Sequence, residues 1–314
     1  MNDGSLDVRG VTVRFGGLTA LDDVSLTAGS RQVTGIIGPN GAGKTTLLNV
    51  LCGFVKPQSG QILFDGHELT KLRPHRLAGL GIARTLQGVG LFRGLSVLEN
   101  VMVGATSQAR AGFWSALGGL PRSDRDERRL REQALQALDR VGAADLADSM
   151  PDMLAHGPRK RVAFARALAA QPRLLLLDEP ASGLSENELP ELGDLITKLA
   201  DDASVVVIEH RMDLMMSVCD TIFVLDFGKV IAAGSPAQVQ SDPAVTAAYL
   251  GAEDAEPQES AAGGGESAAG SGESAAGGRE SAVRGGESAA GGGESAAGSG
   301  EAGGAGREGL AGHE

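Results

Sequence analysis

One stretch limits what this chain can fold into more than any other: Gly38-Pro39-Asn40-Gly41-Ala42-Gly43-Lys44-Thr45-Thr46. It fits the spacing G-x-x-x-x-G-K-[ST], and its surroundings suit that motif. An apolar strand-like run, Val33 to Ile37, precedes it, and a helix-like run, Thr45 to Leu51, follows. Glycines let a backbone wrap around an anion where a Cβ would clash. Exposed N–H groups at a helix start favour negative charge. The stretch reads as a phosphate-binding loop in which Lys44 reaches the β- and γ-phosphates of a nucleotide and Thr45 holds Mg²⁺. The bland alternative is a glycine turn that matches by chance, and the rest of the chain argues against it.

Composition divides the 314 residues at about Gly251. Residues 1–250 have an ordinary globular mixture, long enough to bury one large core with a subdomain. Beyond them lies a seven-residue repeat, Glu-Ser-Ala-Ala-Gly-Gly-Gly, starting at Glu259, Glu266, Glu273, Glu280, Glu287 and Glu294, with a decayed copy at Glu301. A period of seven suggests a coiled coil, but Val283 is the single large apolar residue in any copy. Each glycine also costs a helix about 1 kcal/mol. A disordered acidic linker over 251–314 is the expectation, with docking to a basic partner as the open alternative. Twelve acidic and three basic residues in 251–314 supply most of the net charge of −12. The remainder therefore gives no electrostatic case for nucleic acid. Cys52 and Cys219 match no metal or redox spacing and read as free thiols in a reducing compartment. No secretory signal and no membrane-spanning run is expected.

Strand signals occupy 6–14, 21–26, 33–37 and 61–64. Val97 to Val103 reads as helix, as does Ser123 to Val141, with Leu130, Leu135, Leu138 and Val141 on one side. Pro158 opens a further helix, Arg159 to Ala170, at a position where proline suits a first turn. Leu174-Leu175-Leu176-Leu177-Asp178 is a fully apolar strand of the kind covered on both faces. Helix 186–200, strand 204–208, helix 211–217 and strand 221–225 follow, and the last folded helix ends near Leu250. The alternation argues for an α/β core.

The apolar strand ends in two carboxylates, Asp178 and Glu179. Two acids there are costly unless a cation or water uses them. Asp178 can bind Mg²⁺ through water, and Glu179 can polarise a water attacking the γ-phosphate.

With these motifs in this order, residues 6–250 resemble the nucleotide-binding subunit of an ABC transporter. The resemblance implies ATP and Mg²⁺ as cofactors. Phe15, in Val13-Arg14-Phe15-Gly16-Gly17, resembles the aromatic that stacks on adenine; a core phenylalanine at a strand end is an equal reading. Gln87 resembles the glutamine that touches Mg²⁺ and senses the membrane subunits. His210 resembles the histidine that contacts the γ-phosphate and holds the catalytic water. Ala83-Arg84-Thr85-Leu86-Gln87, Leu91-Phe92-Arg93, Val97-Leu98-Glu99-Asn100-Val101, the charged insert 105–150 and Ala248-Tyr249-Leu250-Gly251 are similar to the branched-chain amino acid importers, and to the first of their two ATPase subunits. Lipopolysaccharide exporters and urea or amide importers share much of the pattern. The implied fold is an α/β P-loop NTPase core of ABC type over 1–250, with an antiparallel β subdomain, a helical subdomain at about 88–170 and a disordered tail. The implied activity is ATP hydrolysis that drives import through separate transmembrane permease subunits at the cytoplasmic face of the membrane. A second ABC ATPase or a second copy of this chain would be its partner, with an extracytoplasmic solute-binding protein acting indirectly and no nucleic acid. A binding-only regulatory subunit and a soluble ABC ATPase are the other classes.

The chain departs from the family at the signature, usually Leu-Ser-Gly-Gly-Gln and here Leu154-Ala155-His156-Gly157-Pro158. In the family this turn binds the γ-phosphate held by the opposite subunit. Ala155 has no hydroxyl and Pro158 no N–H, so an unequal pair of sites is expected. Ser185 stands where relatives carry Asp or Asn, and Leu86 where Phe is common.

Overall fold

Strands that must be covered on both faces dictate the centre of this protein. The structure, a computed structural model, describes residues 4–69, 72–85, 90–106 and 121–253. By internal contacts the chain divides into Met1–Glu259 and Ser260–Glu314, and every described residue belongs to the first unit. Leu86, Gln87, part of the charged insert and the Glu-Ser-Ala-Ala-Gly-Gly-Gly repeat lie outside the described residues.

Two sheets form. β1 (Leu6–Phe15), β2 (Leu18–Ala28), β4 (Ser59–Phe64) and β5 (His67–Glu68) make an antiparallel sheet in the order β2-β1-β4-β5. β3 (Val33–Ile37), β6 (Ile82–Arg84), β7 (Leu174–Asp178), β8 (Ser204–Ile208), β9 (Thr221–Asp226) and β10 (Lys229–Gly234) make a six-stranded sheet in the order β10-β9-β3-β8-β7-β6. Only β10, at one edge, runs antiparallel to its neighbour.

Among the described residues the α-helices are α1 (Lys44–Leu51), α2 (Val97–Ala105), α3 (Pro121–Arg140), α4 (His156–Leu168), α5 (Leu189–Ala200), α6 (Met212–Val218), α7 (Pro236–Gln240) and α8 (Pro243–Glu253). α2, α3 and α4 pack on one another. β3, β7 and β8 are buried at every position, and alternate residues feed two cores. Leu174, Leu176, Val206 and Ile208 join the antiparallel sheet and α1. Leu175, Leu177, Val205 and Val207 face α5, α6 and the α2–α4 group. This period-two division is why the runs read as unbroken apolar sequence.

Three expectations change. Leu135 is 37% exposed, and Ala134 and Ala137 are buried with Leu138 and Val141 instead. Steps of three and four from Leu130 reach 134, 137, 138 and 141, whereas 135 falls off that stripe. α4 begins at His156 rather than Arg159, so Pro158 sits third in the helix, where its missing N–H would have no intrahelical partner. α8 continues to Glu253, past the expected end near Leu250. Ser185 has a local reason: its N–H and hydroxyl both donate to the Glu188 carboxylate, at 2.9 and 2.7 Å. An aspartate there would set like charges together.

Candidate functional site

Three adjacent parallel strands deliver the site to one edge of the sheet. Ile36 of β3 pairs with Ile208 of β8, and Ile208 pairs with Asp178 of β7. The three strands therefore end level with one another. Beyond those ends come the loop from Gly38, the pair Asp178-Glu179, and the pair Glu209-His210. Ligands of open α/β sheets bind outside the carboxyl ends of strands.

The loop has the shape of an anion cradle. Gly38 has φ +150°, and a Cβ on it would lie 2.0 Å from the Leu225 carbonyl oxygen. Gly43 has φ +104° and caps α1, where a Cβ would lie 2.6 Å from the Ala20 carbonyl oxygen. No acid occupies the first turn of α1 and no side chain caps it, so nothing of the helix's own competes for an anion at its N-terminus. Asn40, Gly41 and Thr45 are exposed, Pro39 and Thr46 half-buried, and Ala42 buried. Lys44 is buried and donates to the carbonyl oxygens of Gly38 and Pro39, at 2.7 and 2.8 Å. Burial pushes its ammonium below the ordinary lysine range, and the Glu179 charge opposes the shift.

Asp178 is 5% exposed, and one of its oxygens accepts a bond from Arg84 at 2.9 Å. Arg84 also donates to Asn49 of α1 at 3.2 Å, which ties Asp178 to the helix that carries Lys44. Glu179 is half-buried, with its N–H on the Ile208 carbonyl oxygen at 2.9 Å and a backbone φ of +46°. That conformation is uncommon for a residue with a Cβ and collects at functional turns. His210 is exposed, and its Nδ1 lies 3.5 Å from Oε2 of Glu209. Among the described residues no group of three His, Cys, Asp or Glu side chains is placed to hold a metal. The donors suit Mg²⁺ carried on phosphates, which needs only one or two protein oxygens; Thr45 and Asp178 could supply them.

Phe15 ends β1 with 51% of its surface exposed, so the core-phenylalanine reading gives way to a ring open to solvent. Leu154 is half-buried and leads to Ala155, which caps α4 without a side-chain bond. His156 Nε2 lies 3.3 Å from the Ser182 carbonyl oxygen. Gly157 and Pro158 are half-buried. Leu154–Pro158 thus lies beside the turn that follows Glu179.

Sequence reasoning missed Arg84, Glu209 and Lys160. Glu209 carried the signal used for Asp178, an acid closing an apolar strand. Nothing in the sequence marks the contacts of Arg84 or Lys160, whose partners lie far along the chain.

A family profile described as ABC transporter matches residues 21–182, more than half of the chain. The high-affinity branched-chain amino acid transport ATP-binding protein BraF of Pseudomonas aeruginosa is 42% identical over 248 residues, covering 78% of this chain and 97% of BraF. The chain belongs to the ABC transporter family. As an ABC protein it binds nucleotide and is an ATPase. A second profile, described as branched-chain amino acid ATP-binding cassette transporter, matches residues 229–255. The high-affinity branched-chain amino acid transport ATP-binding protein LivG of Escherichia coli K12 is 39% identical over 253 residues, 80% of this chain and 99% of LivG. Among solved structures, the ADP conformation of the ABC transporter cassette MJ1267 superposes with a TM-score of 0.69 at 31% identity, covering 79% of this chain and 99% of MJ1267. The ABC fold implied by the resemblance is therefore borne out.

Proposed function

We propose that this ABC ATPase energises import of branched-chain or related amino acids through separate membrane permease subunits. One observation carries the catalytic half of the reading: β3, β8 and β7 end level and bring Lys44, Glu179 and His210 to one edge. The substrate rests on the names of BraF and LivG, both branched-chain amino acid transport proteins. The chain works at the cytoplasmic face of the membrane, with ATP joining it face to face to a second ABC ATPase. A dimeric cassette bound to ADP and Pi, 26% identical with a TM-score of 0.62, gives that pairing a structural precedent.

In this reading the α1 N-terminus and the amides of Gly38–Gly43 hold the phosphates. Lys44 shifts part of its bonding from the loop carbonyls to the β- and γ-phosphates. Thr45, Asp178 and Gln87 hold Mg²⁺, which offsets phosphate charge when bound. Glu179 orients the attacking water and His210 steadies the γ-phosphate. Phe15 stacks on adenine, and Leu154–Pro158 meets the nucleotide of the opposite subunit.

Uptake of labelled leucine, isoleucine and valine by cells carrying the native chain or Glu179→Gln tests both halves. Loss in Glu179→Gln supports the reading. Unchanged uptake of all three overturns the substrate. A lipopolysaccharide export ATPase of Haemophilus influenzae, LptB, is 34% identical over 232 residues, so export would then be examined alongside urea and amide import.

A further inference from the structure

The turn after Glu179 is held by two charged side chains from distant elements. Lys160 of α4 donates to the carbonyl oxygen of Pro180 at 2.6 Å and to that of Ser182. Glu209, with none of its surface exposed, accepts the Ala181 N–H on Oε1 at 2.7 Å. Its Oε2 accepts the N–H groups of His210 at 2.9 Å and Arg211 at 3.3 Å. Ser182 in turn donates its N–H to the Glu179 carbonyl oxygen at 3.1 Å. Three successive residues beyond Glu179 are thus fixed, two by a cation on their carbonyls and one by an anion on its amide.

A buried carboxylate is costly unless paired and hydrogen-bonded. Glu209 has three amide donors, and its charge acts on Lys160 along with those of Glu188 and Glu179. The pair is more than local packing, because its members belong to different working parts. Lys160 lies on the helix opened by Ala155–Pro158. Glu209 precedes His210 and binds its backbone. The turn between them carries Glu179 at a backbone φ that needs support from its surroundings.

We propose that Lys160 and Glu209 are positioning residues for Glu179. They clamp Pro180–Ser182 and make the placement of the signature turn and of His210 felt at the catalytic carboxylate. The clamp rests on the reading of Glu179 given above. It acts on the turnover step and not on nucleotide affinity, since neither side chain belongs to the phosphate loop. Lys160→Met keeps the length of the side chain but removes the donors, Lys160→Arg keeps a donating cation, and Glu209→Gln keeps the shape but removes the charge.

The test is steady-state ATPase kinetics of the full-length chain in its assembled membrane complex, with a fluorescent ATP analogue reporting nucleotide affinity. Lys160→Met and Glu209→Gln are expected to lower kcat about tenfold with KM and analogue affinity within about twofold, and Lys160→Arg to recover most of the rate. Wild-type kcat in Lys160→Met, alongside loss in Glu179→Gln, overturns the clamp alone. Wild-type kcat in Glu179→Gln overturns the reading of the site and the clamp with it. Equal losses of rate and affinity in Lys160→Met, not recovered by Lys160→Arg and absent in Glu209→Gln, also overturn the clamp. Should Lys160→Met fail to fold, Glu209→Gln decides by the same split between kcat and KM.

Discussion

Arg84 and Asp178 share a buried ion pair beside the phosphate loop, their side chains 14% and 4% exposed. Removing one partner of such a pair strands the other charge and costs about 3–5 kcal/mol, whereas removing both is far milder. Arg84→Met is therefore expected to destabilise the chain by about 3 kcal/mol or more, and Arg84→Met with Asp178→Asn by clearly less. Urea unfolding of the two variants beside the native chain measures this; equal losses in both would show that the second change relieves no stranded charge. Lys44 offers a second residue-scale test through pH. Its ammonium is held below the ordinary value of 10.5 by burial. Without nucleotide, the folded chain gives up this proton before the unfolded chain does, so stability rises as pH climbs through the lowered value toward 10.5. Phosphates beside the ammonium would push the pKa back up, so binding takes up a proton in that window. Nucleotide affinity should then be flat below the lowered pKa and fall as pH rises through it. Titrations with a fluorescent ATP analogue over alkaline pH check this, with Lys44→Ala expected to bind weakly at every pH.

Elements were legible where one sequence segment decides its own burial. β7 and β8 are covered on both faces, so their apolar runs mark the strands end to end. The phosphate loop was legible because its glycines answer a purely local demand. β6 and β10 were not, since β6 is three residues long and exists because Ile82 can pair with Leu174 some ninety positions away. The same limit hid Lys160 and Arg84, whose partners are set by tertiary placement and not by spacing. β7 yields a test of its two-faced burial. Leu175 and Leu176 are both fully buried but feed opposite cores. Either change to Ala should cost about 2–5 kcal/mol, and the two should add with little coupling because they create separate cavities. Thermal and urea unfolding of both singles and the double variant would show strong non-additivity if the cores were one.

At the scale of the whole assembly, the altered signature would make the two nucleotide sites unequal if the proposed partner is a different ATPase. The N-terminus of α4 keeps its helix dipole and the Gly157 amide, and its first turn holds no acid. Ala155 supplies no hydroxyl and Pro158 no N–H. Because Pro158 sits in the first turn, its missing N–H costs the helix itself nothing. The deficit falls on the nucleotide across the interface, where a hydrogen bond to a charged group is worth about 1.5–3 kcal/mol. The site built on Lys44 would use the partner's signature and so escape this loss where that signature keeps its donors. Restoring the donors with Ala155→Ser and Pro158→Gln should therefore raise turnover at the partner's own loop by about tenfold, and leave the Lys44 site near its starting rate. The measurement is ATP hydrolysis by the assembled complex with Glu179→Gln present, so that the Lys44 site is silent and the partner's site is read alone. No gain in that background would mean that the dipole and the Gly157 amide already suffice, and would overturn the expected inequality.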